Sequence, residues 1–176
     1  MREAEDAIAR YRTVFPRVFE YMNVVRDQLL RDHYVTTLFG RKRHLPNVKS
    51  YDKKVVAEAI RQAVNFTVQS PASDILVCAC NEIMDRFAEE NMQARVVATV
   101  HDSIEVVCPK YETEKALKIK REVMTNPSAL EVLGVELDVP LVVDCEVGYN
   151  FGVVHEVEFD ENNNILNKEE LHEFFN

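Results

Sequence analysis

Apolar residues recur at helical spacing over two N-terminal stretches. Ala4, Ala7, Ile8 and Tyr11 share one face of residues 4–14, and Val18, Met22, Val25 and Leu29 share one face of residues 17–31. Pro16 separates the two predicted helices and suits the first turn of the second, where its missing N–H is not needed. Val35-Thr36-Thr37-Leu38-Phe39 is a short β-prone run that Gly40 ends, and a polar loop containing Pro46-Asn47 follows from Arg41 to Ser50. The pattern turns helical again from about Lys53 to Val68. Ser70-Pro71 then predicts a fresh start, with Ser70 as N-cap and Pro71 in the first turn of a helix that carries Ile75, Leu76, Ala79, Ile83 and Phe87 on one face.

The second half switches period. Arg95 to Val100 and Ile104 to Cys108 are β-rich, and only His101-Asp102-Ser103 separates them, which predicts a tight antiparallel hairpin. Residues 111–125 are helical and charged, and Pro140 to Val147 predicts a third strand. In the acidic, Asn-rich stretch 153–176, Asn163-Asn164 predicts a turn between Val157-Glu158-Phe159 and Ile165-Leu166. There is no internal repeat and no linker. Helices followed by a small antiparallel sheet with helices packed on it make the expected class α+β.

Composition narrows the function. The 176 residues are 47% hydrophobic and 29% charged, a balance that supports a folded core. No apolar run reaches the ~20 residues of a membrane helix, and the charged N-terminus has no signal-peptide core. The expectation is therefore no membrane partner and a cytoplasmic setting. The four cysteines lack C-x-x-C spacing and read as reduced thiols. The net charge of −9 argues against nucleic acid only if it is uniform. It is not: residues 1–65 hold 13 Lys/Arg against 8 Asp/Glu, whereas residues 66–176 hold 8 against 22. Arg41, Lys42, Arg43, Lys49, Lys53, Lys54 and Arg61 concentrate the positive charge into a local polyanion site.

Two groups of residues carry candidate chemistry. His101-Asp102 sits at the predicted hairpin tip, where a carboxylate projects beyond the sheet and suits a hard cation such as Mg²⁺, which takes one or two carboxylates and keeps several waters. Asp is also an ordinary turn residue. Arg61, Asn65 and Gln69 recur every fourth position, so they form a slowly drifting helical stripe about 12 Å long. These side chains have the reach to track the minor groove, whose acceptors are shared among base pairs. A solvent-facing polar helix side is the plainer account. The Asp160–Leu171 stretch imitates a calcium loop, but Ile165 stands where Gly is needed and Leu171 where Glu is needed.

In order and spacing these groups resemble one family. Thr37-Leu38-Phe39-Gly40-Arg41-Lys42-Arg43-His44-Leu45-Pro46, then Arg61-x3-Asn65-x3-Gln69-Ser70-x-Ala72-Ser73-Asp74-Ile75, then Val100-His101-Asp102, then Pro140-Leu141-Val142-Val143-Asp144 and Gly148-Tyr149-Asn150-Phe151, resemble the C-terminal part of a family A, Pol I-like DNA polymerase of bacteriophage type. The resemblance covers about residues 1–152 and implies fingers-derived helices and a basic loop over 1–50, a palm portion with the motif C hairpin over 51–152, and an acidic extension over 153–176. It implies that Asp102 ligates the catalytic metals, that His101 touches the primer terminus, and that Arg61, Asn65 and Gln69, with Arg41 and Arg43, bind DNA. The implied reaction is two-metal nucleotidyl transfer with Mg²⁺, primer–template DNA and dNTP.

Two departures qualify it. Ser103 stands where these DNA polymerases usually carry Glu, and an Asp-Ser pair also resembles the single-subunit RNA polymerases. No D-x-S-x-x-E run and no K-x-x-x-x-x-x-Y-G run is present. The family's first palm aspartate and nucleotide-gripping helix are therefore expected on a complementary polymerase chain or an N-terminal region, and the isolated chain is expected to be inactive. The alternatives are a non-catalytic nucleic-acid-binding module on the polymerase fold and a metal-dependent phosphohydrolase built on the His-Asp pair. The latter needs more ligands than the scattered His33, His44, His155 and His172 offer.

Overall fold

The computed structural model describes residues 2–175, and the side chains of residues 4–171. The chain divides into two compact units, one ending at Ala72 and the other starting at Ser73. The first holds α1 (Arg2–Val14), α2 (Pro16–Asp32), β1 (Tyr34–Thr36), β2 (Lys42–His44), a 3₁₀ turn at Pro46–Lys49 and the opening turns of α3 (Lys53–Glu89). The second holds the rest of α3, β3 (Arg95–Val100), β4 (Ser103–Val107), α4 (Thr113–Thr125), α5 (Ser128–Val132), β5 (Cys145–Asn150), β6 (Val153–Val157) and α6 (Lys168–Phe175). Strands pair antiparallel as β1–β2, β3–β4 and β5–β6, each a separate ribbon. The class is α+β, as the periodicity predicts.

In the first unit, Pro16 opens α2, and α2 ends where His33 turns left-handed (φ 62°) and donates its N–H to the Leu29 carbonyl. Val25 and Leu29 of α2, Val35 of β1, Leu45, Val48, and Ala59 and Ala63 of α3 make the buried core. The predicted strand through Phe39 stops at Thr36, because Thr37 begins the turn. Its backbone bonds Arg41, its buried hydroxyl accepts the Arg41 N–H at 3.1 Å, and Gly40 supplies φ +80°. The stretch read as a polar loop contains β2. Lys42, Arg43 and His44 are all exposed, so no apolar alternation announces a strand that only its pairing with β1 defines.

Helix α3 corrects the predicted break at Ser70-Pro71. Pro71 lies inside one 37-residue helix. Proline cannot donate to the carbonyl four residues back, a cost of about 3 kcal/mol in a helix interior. Burial on either side offsets it: Ala59 and Ala63 anchor the first part of α3, and Ala79, Ile83 and Phe87 anchor the second. The unit boundary falls one residue after Pro71.

In the second unit, Ala79, Ile83 and Phe87 pack with Met92, Ala94, Ile104 of β4, and Ala116, Ile119 and Val123 of α4. The Glu112 carboxylate ties this core together by accepting the N–H groups of Gln93 (2.9 Å) and Ala94 (2.9 Å) just before β3. Pro140 to Asp144 is not strand. Val142 is 83% exposed, and without a backbone partner β propensity alone forms no ladder. The strand starts at Cys145 and pairs with β6 instead. The 153–171 stretch packs into the unit. Val157, Ile165 and Leu171 bury Leu117 and Cys145, and the predicted turn forms with Phe159 bridged to Ile165 and Asn163 at φ 62°. No helix among the described residues is long and apolar enough to cross a membrane.

Candidate nucleic-acid interface and metal-binding turn

Within the first unit the polar stripe of α3 is exposed, and the basic β1–β2 hairpin meets the same helix. Ala59, Ala63 and Thr67 are buried, and Arg61, Asn65 and Gln69, each two positions later, are exposed. Two residues turn an α-helix by about 200°, so the core-facing stripe presents the polar one outward. The β1–β2 hairpin reaches this helix through Arg43, whose guanidinium lies 5.4 Å from the ring centroid of Phe66, next to Asn65. On the same hairpin, Lys42 lies 5.0 Å from the Tyr34 ring, and Tyr34 packs on His44 at 5.3 Å. Arg61 pairs with Glu58, which also accepts a bond from Gln62 at 3.1 Å. Those bonds hold the Glu58 carboxyl below its ordinary value of 4.5. Arg41 is exposed at the hairpin loop. The combination of guanidinium groups, an amide stripe and aromatic faces suits a phosphate backbone and groove edges.

The second unit carries the turn. β3 and β4 pair from Val100↔Ser103 to Arg95↔Val107 with a register shift between Val96 and Ala98, leaving His101 and Asp102 as the two-residue tip, both exposed. His101 adopts φ 55°, the left-handed conformation that a two-residue hairpin turn calls for. Ile104 is fully buried while Ser103 and Glu105, on the opposite face of β4, are half-buried. The Ser103 hydroxyl lies 3.0 Å from the Val100 carbonyl and 2.6 Å from Glu105 Oε1, a contact that the i, i+2 period permits and that sequence reading missed. Val97 and Val107 of the same hairpin are 58% and 62% exposed.

The donor chemistry at the tip fits a hard divalent cation in part. Asp102 supplies one accessible carboxylate, of the kind Mg²⁺ takes alongside waters. No group of three or more His, Cys, Asp or Glu among the described residues could hold a metal ion. The last motif proves structural in its local chemistry. A Cβ at Gly148 would collide with the Val153 carbonyl oxygen, and Asn150 Oδ1 accepts the N–H groups of Gly152 (2.9 Å) and Val153 (3.1 Å), closing the β5–β6 turn.

Comparison with known proteins agrees with this layout. The model of DNA polymerase family A matches residues 1–153. DNA polymerase I of Geobacillus stearothermophilus is 37% identical over 147 residues, 84% of this chain and 16% of that protein. The DNA polymerase of Bacillus phage SP01 is 32% identical over 163 residues, 90% of this chain and 17% of that one. Thermostable DNA polymerase I of Thermus aquaticus is 34% identical over 146 residues, 83% and 16% respectively. Among solved structures, the POL domain of Pol1 from M. smegmatis, in complex with DNA primer-template and dNTP, superposes with a TM-score of 0.72 at 30% identity, over 80% of this chain and 24% of that one. The chain thus spans about one-sixth of the length of the curated relatives it matches. With a family match that runs through the basic hairpin, the α3 stripe, the His101-Asp102 turn and the Gly148–Phe151 signature, this chain belongs to DNA polymerase family A.

Proposed function

We propose that this chain is the fingers-and-palm C-terminal portion of a DNA-directed DNA polymerase and acts in template-dependent nucleotidyl transfer together with polypeptide carrying the rest of the palm. The observation that carries the reading is the exposed Asp102 carboxylate at a two-residue turn, in a chain of this family. Asp102 would be one of the ligands that hold Mg²⁺. A second polypeptide segment supplies the other protein carboxylate, since a single one leaves two hard ions underligated. Bound Mg²⁺ would supply the charge that makes the primer 3′-hydroxyl nucleophilic and that offsets the leaving pyrophosphate. His101 lies against the primer terminus. Arg61, Asn65 and Gln69 follow the minor groove, and Arg41 and Arg43 hold phosphates. Exposed Val97 and Val107 support an uncovered hairpin face awaiting more protein. The four free cysteines suit a reducing, cytoplasmic setting.

Ser103, and the lack of a group of three metal ligands among the described residues, favour a second reading, a nucleic-acid-binding module without chemistry. Primer extension separates the two. The chain is combined with a polypeptide supplying the preceding part of a family A polymerase domain, primed template, dNTPs and Mg²⁺. Extension that vanishes with Asp102→Ala supports the polymerase. DNA binding without extension, whichever polymerase segment is supplied, supports the module.

A further inference from the structure

The turn that bears Asp102 has its own supporting bonds, and they end on an acidic side chain to which the reaction above gives no part. Glu105 accepts from the Ser103 hydroxyl at 2.6 Å, and the same hydroxyl lies 3.0 Å from the carbonyl of Val100, the residue that opens the turn. Ser103 has one proton to share between these acceptors, so the carboxylate, turn carbonyl and hydroxyl form one coupled unit. The hydroxyl therefore spans the two-residue turn that holds His101 and Asp102, bonding back to the residue that opens it. Glu105 forms no ion pair among the described residues, and it shares the Ser103 face of β4, away from buried Ile104.

We infer that Glu105 and Ser103 are positioning residues for the metal carboxylate: Glu105 fixes the Ser103 hydroxyl, the hydroxyl fixes the His101-Asp102 turn, and Asp102 meets a divalent cation already oriented. The inference rests on the reading of Asp102 as a metal ligand. Outer partners of metal ligands commonly change metal affinity by about 10–100-fold when removed.

The test uses the full ¹⁵N-labelled chain complemented, as in primer extension, with the polypeptide that supplies the rest of the polymerase domain, and titrated with Mn²⁺, with paramagnetic broadening of this chain's amide signals as the readout. Wild type should lose the signals of His101, Asp102 and Ser103 first, and Asp102→Asn should abolish that selectivity. Glu105→Gln and Ser103→Ala should each weaken the apparent affinity about tenfold, with the double variant no weaker than either single one. Ser103→Thr, which keeps the hydroxyl, should restore it, and the thermal midpoint should not move with the affinity. If wild type shows no selective broadening at the turn, or if Asp102→Asn leaves it in place, the metal reading and this inference fall together. If Asp102→Asn abolishes it but Glu105→Gln and Ser103→Ala match wild type, the inference alone is overturned. Loss with Glu105→Gln but not with Ser103→Ala also overturns it, because the hydroxyl is then no relay.

Discussion

Two hairpins of the second unit, β3–β4 and β5–β6, use short turns and end up chemically opposite. At the β5–β6 turn every local polar device is consumed. Asn150 caps two N–H groups, and Gly148 makes room for the Val153 carbonyl. The segment that follows is equally closed: Asp160 accepts from Asn162, Asn164 and the Asn164 amide, Asn163 bonds Arg121 and the Lys118 carbonyl, and Asn167 bonds the strand backbone. The loop bonds hold the Asp160 carboxyl below its ordinary range, the largest contribution coming from the Asn164 side chain. The β5–β6 turn is itself exposed, with Phe151 at 79%, so the two differ in their polar groups and not in cover: at the β3–β4 tip the exposed side chains are His101 and Asp102. Side chains spent on backbone stabilise a fold; a carboxylate left in water at the end of a rigid ribbon is available to a ligand.

The comparison predicts that substitutions in the closed region cost stability, whereas those at open positions cost binding. The largest stability loss is expected for Ile165→Ala, which empties a buried site between α4 and β5. It should destabilise by about 2–4 kcal/mol in urea unfolding and speed thiol labelling of Cys145. That thiol is 1% exposed, and burial raises its pKa above the ordinary 9.0, so it should otherwise label slowly. A wild-type labelling rate would show that the acidic segment does not cover this core. Gly148→Ala comes next, at about 1–3 kcal/mol, since the added carbon meets backbone that has to shift.

On the open side, Arg61→Ala should leave the thermal midpoint near wild type and weaken primer–template binding by about 1–3 kcal/mol, with little sequence dependence and a shallower salt slope, in fluorescence anisotropy. Unchanged DNA affinity would make the α3 stripe an ordinary solvated face.

The smallest effect is a pH dependence of the closed region. Lys168, at 2.6 Å, and Lys118, at 3.0 Å, hold the Glu114 carboxyl below its ordinary 4.5. A carboxylate with a depressed folded-state pKa contributes stability above its unfolded value and loses it as pH falls through the folded one. The difference in thermal midpoint between wild type and Glu114→Gln should therefore be constant from neutral pH down to about 4.5 and shrink below it. A difference that persists to lower pH would remove these ion pairs from the docking of α6. Solvent screening keeps this contribution small, because Glu114 is about half exposed.

Local signals made much of this legible. The helical period of Val18, Met22, Val25 and Leu29 found α2, and Pro16 placed its start. The bare interval between two β-rich runs found the β3–β4 turn and put Asp102 at its tip. What stayed hidden depends on partners far along the chain. Lys42-Arg43-His44 is a strand only because Tyr34–Thr36 lies beside it. Ser70-Pro71 carries a strong start signal, yet the helix runs through because each side is anchored in its own core. Leu141-Val142-Val143 has the propensity of a strand, but no strand pairs with it among the described residues. The Ser103–Glu105 contact was visible as a period of two but had no chemical meaning until the turn was in place.

The central claim is that Asp102 binds the catalytic cation, and a metal switch tests it most directly. Asp102→Cys replaces a hard oxygen ligand with a soft thiolate, which favours Cd²⁺ over Mg²⁺. In the complemented primer-extension assay, Asp102→Cys should lose Mg²⁺-supported extension by about 10³-fold and recover a measurable part of it when Cd²⁺ is added, while wild type gains nothing from Cd²⁺. Extension by Asp102→Cys that matches wild type in Mg²⁺ alone would contradict the account.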